Sequence, residues 1–130
     1  MMAEPFIEQE ANVEWESWVD PELKSKCDIR WKLLVSGNRT PTDGLVLGIA
    51  EIPPGAALLR HTHLEPETYF VTEGKGIMSI EGKDSEITPG STIYIPSEAS
   101  HSVKCIGDQV LQFIFTLPCD RWDHVKYEFF

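Results

Sequence analysis

His61 and His63 stand two residues apart in the run Gly55-Ala56-Ala57-Leu58-Leu59-Arg60-His61-Thr62-His63, and on an extended strand that spacing turns both imidazoles to one face. Glu67 comes four residues after His63, beyond the Leu64-Glu65-Pro66 bend, where a new strand can bring a carboxylate to the same face. His101 opens a later strand, after Tyr94-Ile95-Pro96. Three imidazoles and one carboxylate suit one divalent transition metal such as Mn, Fe, Ni, Co or Zn, and on an octahedral ion they leave positions open for water or substrate. Taken singly, each histidine would read as an ordinary surface or core residue; the shared spacing is what points to a metal. Tyr69 lies two residues beyond Glu67 and therefore shares the interior face. Its phenol, with a reference pKa of about 10 that a nearby cation would lower, is a candidate acid or base, or a side chain that fills the interior.

The elements that must position these groups are strands. From residue 29 onward, short β-branched or aromatic runs are bounded by Gly, Pro, Asn or Asp at intervals of about 8–12 residues. The pattern predicts strands at 29–35, 45–52, 57–62, 67–72, 76–81, 85–87, 92–95, 102–106, 110–116 and 125–129. Glu81-Gly82-Lys83-Asp84 reads as a hairpin, while Pro53-Pro54-Gly55 and Pro89-Gly90 end strands abruptly. No segment after residue 30 carries a helical apolar period, so the body is expected to be all-β, closed or folded as a double sheet to protect its edges. Residues 1–28 are polar and acidic, interrupted by Trp15, Trp18 and Val19 and punctuated by Asp20-Pro21, and read as an arm or short helix packed on a barrel of residues 29–130.

A chain of 130 residues with ordinary apolar content and a formal charge of −10 fits one globular domain. That charge disfavours nucleic acid, whose binding needs Lys and Arg clusters. The start MMAEPFIEQE has no basic or apolar leader character, and no apolar run is long enough to cross a bilayer, so the expectation is a cytoplasmic protein away from the membrane. Cys27, Cys105 and Cys119 lack metal or redox spacing and read as reduced structural thiols.

The spacing resembles the two cupin motifs. The first, G-x5-HxH-x3-E-x6-G, is matched at Gly55, His61, His63, Glu67 and Gly74; the second is matched at Gly90, Pro96 and His101, with Glu98 where the family often has Gly and Cys105 where it often has Asn. The resemblance implies a single-domain cupin, a jelly-roll β-barrel with a short N-terminal arm, whose metal is held by His61, His63, Glu67 and His101. Such barrels often pair, which makes a homodimer the expected assembly. Within the cupins, His61-Thr62-His63-Leu64-Glu65-Pro66-Glu67-Thr68-Tyr69 resembles the HxHxxxExY signature of the lyases that cleave dimethylsulfoniopropionate, and Arg30-Trp31-Lys32 and Pro118-Cys119-Asp120-Arg121-Trp122 extend the likeness. This implies Tyr69 as the base of a β-elimination, with Tyr127 next in line. Trp31, Phe113, Phe115, Trp122 and Tyr127 become candidate walls around a sulfonium, or else ordinary core, and Tyr94 a candidate pocket-lining residue. Glu65 and His124 read as solvated. A dioxygenase or isomerase would use the same ligands, and a non-catalytic cupin would bind metal and ligand without turnover.

Overall fold

Alternating burial makes the strands. In the computed structural model, which describes residues 2–130, the elements run α1 (Pro21–Lys26), β1 (Arg30–Val35), β2 (Val46–Ile52), β3 (Ala57–Thr62), β4 (Glu67–Glu73) and β5 (Lys75–Ile80). They continue through β6 (Lys83–Ile87), β7 (Thr92–Ile95), β8 (His101–Ile106), β9 (Leu111–Leu117) and β10 (Glu128–Phe129), with single 3₁₀ turns at Glu10–Asn12 and Trp122–His124. One antiparallel sheet has the order β1-β2-β9-β4-β7 and the other β10-β3-β8-β5-β6. Along β9, Leu111, Phe113, Phe115 and Leu117 point inward while Gln112, Ile114 and Thr116 do not, and β2 sends Val46, Gly48, Ala50 and Ile52 to the same interior. The two sheets enclose this one core, as expected of a jelly-roll barrel.

Gly48 is where the interior depends on a missing side chain. A Cβ there would lie 2.2 Å from Cζ of Phe115 and 2.8 Å from the Lys32 carbonyl oxygen, so Phe115 occupies the space that any larger residue would claim. Gly48→Ala is expected to destabilise the protein by about 1–3 kcal/mol through overpacking, read as a lower denaturant midpoint with unchanged slope. An unchanged midpoint would mean that the Phe115 ring can step aside without loss.

Two departures from strict strand periodicity shape the site. In β3 the register against β8 shifts between Leu58 and His61, so Leu58 and His61 both face inward although three residues apart, and Leu59 and Arg60 are both exposed. This is a β-bulge, and the Leu59 N–H displaced from the ladder donates instead to Sγ of Cys27 at 3.1 Å. At the other end of the chain the strand expected over 125–129 shortens to Glu128–Phe129, because the turn at Trp122–His124 draws the Val125 N–H back to the Trp122 carbonyl. The hairpin between β5 and β6 is tighter than expected: Ile80 pairs with Lys83, and Glu81 and Gly82 form the two-residue loop with φ of 49° and 79°.

Before the barrel, α1 begins where Asp20 accepts hydrogen bonds from the N–H groups of Glu22 (2.9 Å) and Leu23 (3.4 Å), with Pro21 in the first turn. Upstream, Glu16 forms an isolated antiparallel bridge with Trp31 of β1. Glu10 meets the buried Lys32 at 2.8 Å. All three cysteines are free, Cys27 and Cys105 buried and Cys119 half-buried.

Candidate metal centre and its cavity

The bulge in β3 carries His61 to a point opposite His101, the first residue of β8 and its partner in the ladder. His63 lies just beyond the end of β3, and Glu67 is the first residue of β4. All four side chains are buried. The ring centres of His61 and His101 are 4.2 Å apart, those of His63 and His101 5.0 Å, and one nitrogen from each of the three rings lies within 4.8 Å of the others.

The backbone sets the tautomers. Nδ1 of His61 is 2.7 Å from the Leu59 carbonyl, that of His63 is 2.9 Å from the Glu65 carbonyl, and that of His101 is 2.9 Å from the Ala99 carbonyl. A carbonyl can only accept, so each Nδ1 donates, and in a neutral ring the lone pair is left on Nε2. The Nε2 atoms of His61 and His101 are buried with no hydrogen-bond partner. Oε1 of Glu67 lies 3.1 Å from Nε2 of His63 and 3.5 Å from that of His101. Buried polar atoms normally find partners, and two orphaned lone pairs beside a carboxylate fit a cation. Three buried histidines can thus hold a metal ion here, with Glu67 placed to add an oxygen.

Electrostatics agree with this. Burial, and then the neighbouring His101, lower the His61 pKa to about 3, so that ring stays neutral and ready to donate a lone pair. Burial also works against charge on His63, but the hydrogen bond and charge of Glu67 outweigh it and raise the His63 pKa above its ordinary value. Burial likewise opposes ionisation of Glu67, and the imidazoles of His101 and His63 overcome it, holding the carboxyl below its usual range.

A cavity adjoins this cluster. Its walls include Glu67, Tyr69, Trp31, Phe113 and Phe115 from the barrel, and Trp122 and Tyr127 from the C-terminal segment. Tyr69 packs against Phe113 with ring centres 4.2 Å apart and planes tilted by 34°, and its ring is 6.5 Å from that of His101. The Tyr127 ring lies 5.1 Å from His61 and 5.3 Å from His63, and its hydroxyl accepts from Nε1 of Trp122 at 3.2 Å. Burial, followed by the charge of Glu67, pushes both phenols above their ordinary pKa.

Three placements differ from the expectations above. Tyr94 is 64% exposed on the outer face of β7, because Ile93 and Ile95 take the inward positions, so it lines no part of this cavity. Glu65 is half-buried rather than solvated, with Oε1 buried and unpartnered, because its loop folds back so that its carbonyl meets His63. Trp18, read only as part of an arm, lines the cavity and contacts Trp31, Trp122, Tyr127 and Phe129 at ring-centre distances of 4.9–6.1 Å. Its position is set by the Glu16–Trp31 bridge between distant segments, which no local pattern announces. His124 is exposed as expected.

A double-sheet β-barrel with an inward-facing histidine cluster able to hold a metal, and an aromatic cavity beside it, defines the class of barrel. The family model described as "Cupin domain" matches residues 48–117, and the chain belongs to that family. It is 36% identical over 102 residues to a dimethylsulfoniopropionate lyase of Ruegeria pomeroyi, an overlap of 78% of this chain and 66% of that protein. Among solved structures it is similar to the polyketide cyclase of Streptomyces resistomycificus, with a TM-score of 0.78, 22% identity and coverage of 98% of this chain and 87% of that one. It is similar as well to a structure reported for dimethylsulfoniopropionate lyases, with a TM-score of 0.75, 19% identity and coverage of 91% and 62%. The chain spans about half to two thirds of the length of the first curated relatives it matches, from 54% to 66%. No helix among the described residues is long and apolar enough to cross a membrane.

Proposed function

We propose that this protein is a metal-dependent carbon–sulfur lyase that cleaves dimethylsulfoniopropionate to dimethyl sulfide and acrylate, with a tyrosine as the base. The observation that carries this reading is the pair of phenols, buried Tyr69 and half-buried Tyr127, in one aromatic cavity beside the histidine cluster. The 36% identity to a lyase of that substrate supports the choice of substrate.

His61, His63 and His101, with Glu67, would hold the divalent ion, which supplies Lewis-acid polarisation of the substrate carboxylate and so acidifies the α-proton. Burial and Glu67 favour the neutral phenol of Tyr69, and a bound cation would favour its phenolate, the form in which Tyr69 would take that proton and become neutral. The C–H electron pair forms the new carbon–carbon double bond, the β-carbon–sulfur bond breaks, and its pair leaves on sulfur as neutral dimethyl sulfide. Tyr127 stands beside His61 and His63 as the second phenol, its hydroxyl oriented by Trp122. Trp31, Trp122, Phe113 and Phe115 offer aromatic faces to the sulfonium, whose positive charge they attract without a formal counter-ion. Among the described residues no Lys or Arg lines the cavity, which suits a substrate whose cationic end must be accepted there.

The test is headspace dimethyl sulfide from purified protein stripped of metal and reloaded separately with Mn, Fe, Co, Ni or Zn. Metal-dependent release is the expected result. No release with any ion would leave the cupin and its metal site standing and refute the lyase reading.

A further inference from the structure

The cavity is too small for the substrate proposed above. It measures about 30 Å³, room for roughly two water molecules, whereas sites for small organic ligands are on the order of 300 Å³ or more. A wall must therefore move.

The wall residues fall into two groups. Trp31, Tyr69, Phe113 and Phe115 are buried on barrel strands and held by the ladders that join β1, β2, β9 and β4. Trp18, Trp122 and Tyr127 are half-buried and lie outside the strands, so they form the side of the cavity that meets solvent.

Of these two outer segments, the C-terminal one is fastened. The Trp122 N–H donates to Oγ of Ser36 at 2.9 Å, and the Gly37 N–H to the Asp120 carbonyl at 2.8 Å. Oδ1 of Asp120 accepts from the Gly44 N–H at 2.7 Å, and Phe129 pairs with His61 in β10. The N-terminal segment is held differently. Between the Glu16–Trp31 bridge and the Asp20 cap of α1, Ser17, Trp18 and Val19 make no backbone hydrogen bond among the described residues, and Val19 is 96% exposed. Trp18 stays in place by ring contact alone, and its indole Nε1 is buried without a partner. A buried indole N–H normally finds an acceptor, so the shut position leaves a polar group unsatisfied that water or a bound ligand would satisfy.

From this asymmetry we propose that Trp18 is the removable wall of the cavity, so that small molecules reach the metal site where residues 17–19 lift Trp18 away from Trp31, Trp122 and Tyr127. This rests on the cavity being the ligand site of the reading above. Motion of this kind needs only the loss of ring contacts at one short segment, while the barrel and its ligands stay fixed.

The test uses the full chain loaded with zinc and follows zinc loss to excess 2,6-dipicolinate, a planar chelator that must reach the ion to remove it. In the parent protein the stripping rate is expected to level off as chelator rises, because opening becomes limiting. In Trp18→Ala it is expected to be about tenfold faster or more and to keep rising with chelator. Trp15→Ala, which removes a ring lying outside the cavity beneath Arg30 (4.0 Å) and Lys32 (4.8 Å), should strip at the parent rate. If Trp18→Ala does not fold, Trp18→Phe carries the same comparison with a smaller plug and a smaller acceleration. Equal rates in the parent and the folded Trp18 variant would overturn the proposal. The readout needs neither dimethylsulfoniopropionate nor turnover, so a protein that releases no dimethyl sulfide but strips as described would separate the gate from the lyase reading. Failure to take up zinc at all would overturn the gate together with the metal site.

Discussion

Replacing His61 with alanine is expected to lower metal affinity by on the order of 100-fold or more, so that the purified variant carries little metal while the barrel still folds. His61 is an informative ligand to remove because its Nε2 has no hydrogen-bond partner, its Nδ1 is already committed to the Leu59 carbonyl, and Glu67 forms close contacts with His63 and His101 rather than with it. Burial keeps the ring neutral down to about pH 3, so it offers a lone pair rather than a charge. The fold is expected to survive because a chain of this length, with an apolar core from Leu33 and Val46 to Phe113 and Leu117, can bury enough surface without a structural metal. Chelated parent protein should likewise keep its far-ultraviolet circular dichroism. Metal content by mass spectrometry after dialysis checks the variant, with His63→Ala and His101→Ala as companions. Undiminished metal in all three would refute the assignment of the site.

The parts of this site that could be read from sequence are those governed by local parity. Tyr69 must share a face with Glu67 on β4, and His61 and His63 at i and i+2 keep the same parity although β3 ends at Thr62, so these relations needed only extended backbone in the right places. The same rule, applied to β7, would have put Tyr94 outside once Ile93 and Ile95 were given to the core; nearness to the His101 motif in sequence was the weaker guide. The bulge at Leu59 and Arg60 was hidden, because an extra residue in one strand leaves no signature unless the partner register is known. Hidden too was the role of Cys27, which supplies the acceptor that the bulged Leu59 amide needs from a site 32 residues away. Trp18 shows the limit most plainly. Its place beside Trp31 follows from a bridge between an irregular segment and β1, and neither composition nor period distinguishes such a tryptophan from one on a free arm.

Tyr69→Phe is expected to retain the metal and lose turnover of dimethylsulfoniopropionate by about 10²–10⁴-fold, the range for removing a positioned general base. The change deletes one oxygen from a ring that packs on Phe113, and that ring contact remains, so stability and metal content should move little. A loss confined to kcat would mark the hydroxyl as the proton acceptor rather than a wall. Tyr127→Phe tests the competing assignment and differs in its structural cost. It strips the Trp122 indole of its acceptor, a loss on the order of 1–3 kcal/mol, and frees the Trp122 side of the cavity wall. If Tyr69 is the base, Tyr127→Phe should lose less turnover and show a raised KM, as the ring and its neighbour no longer hold the substrate in one orientation. The reverse pattern, with the larger kcat loss in Tyr127→Phe, would transfer the base to Tyr127. That residue is nearer to His61 and His63, and its hydroxyl already receives a hydrogen bond that would favour the phenolate. Measuring both variants with the same metal loading separates the two, since both changes leave the four candidate metal ligands untouched.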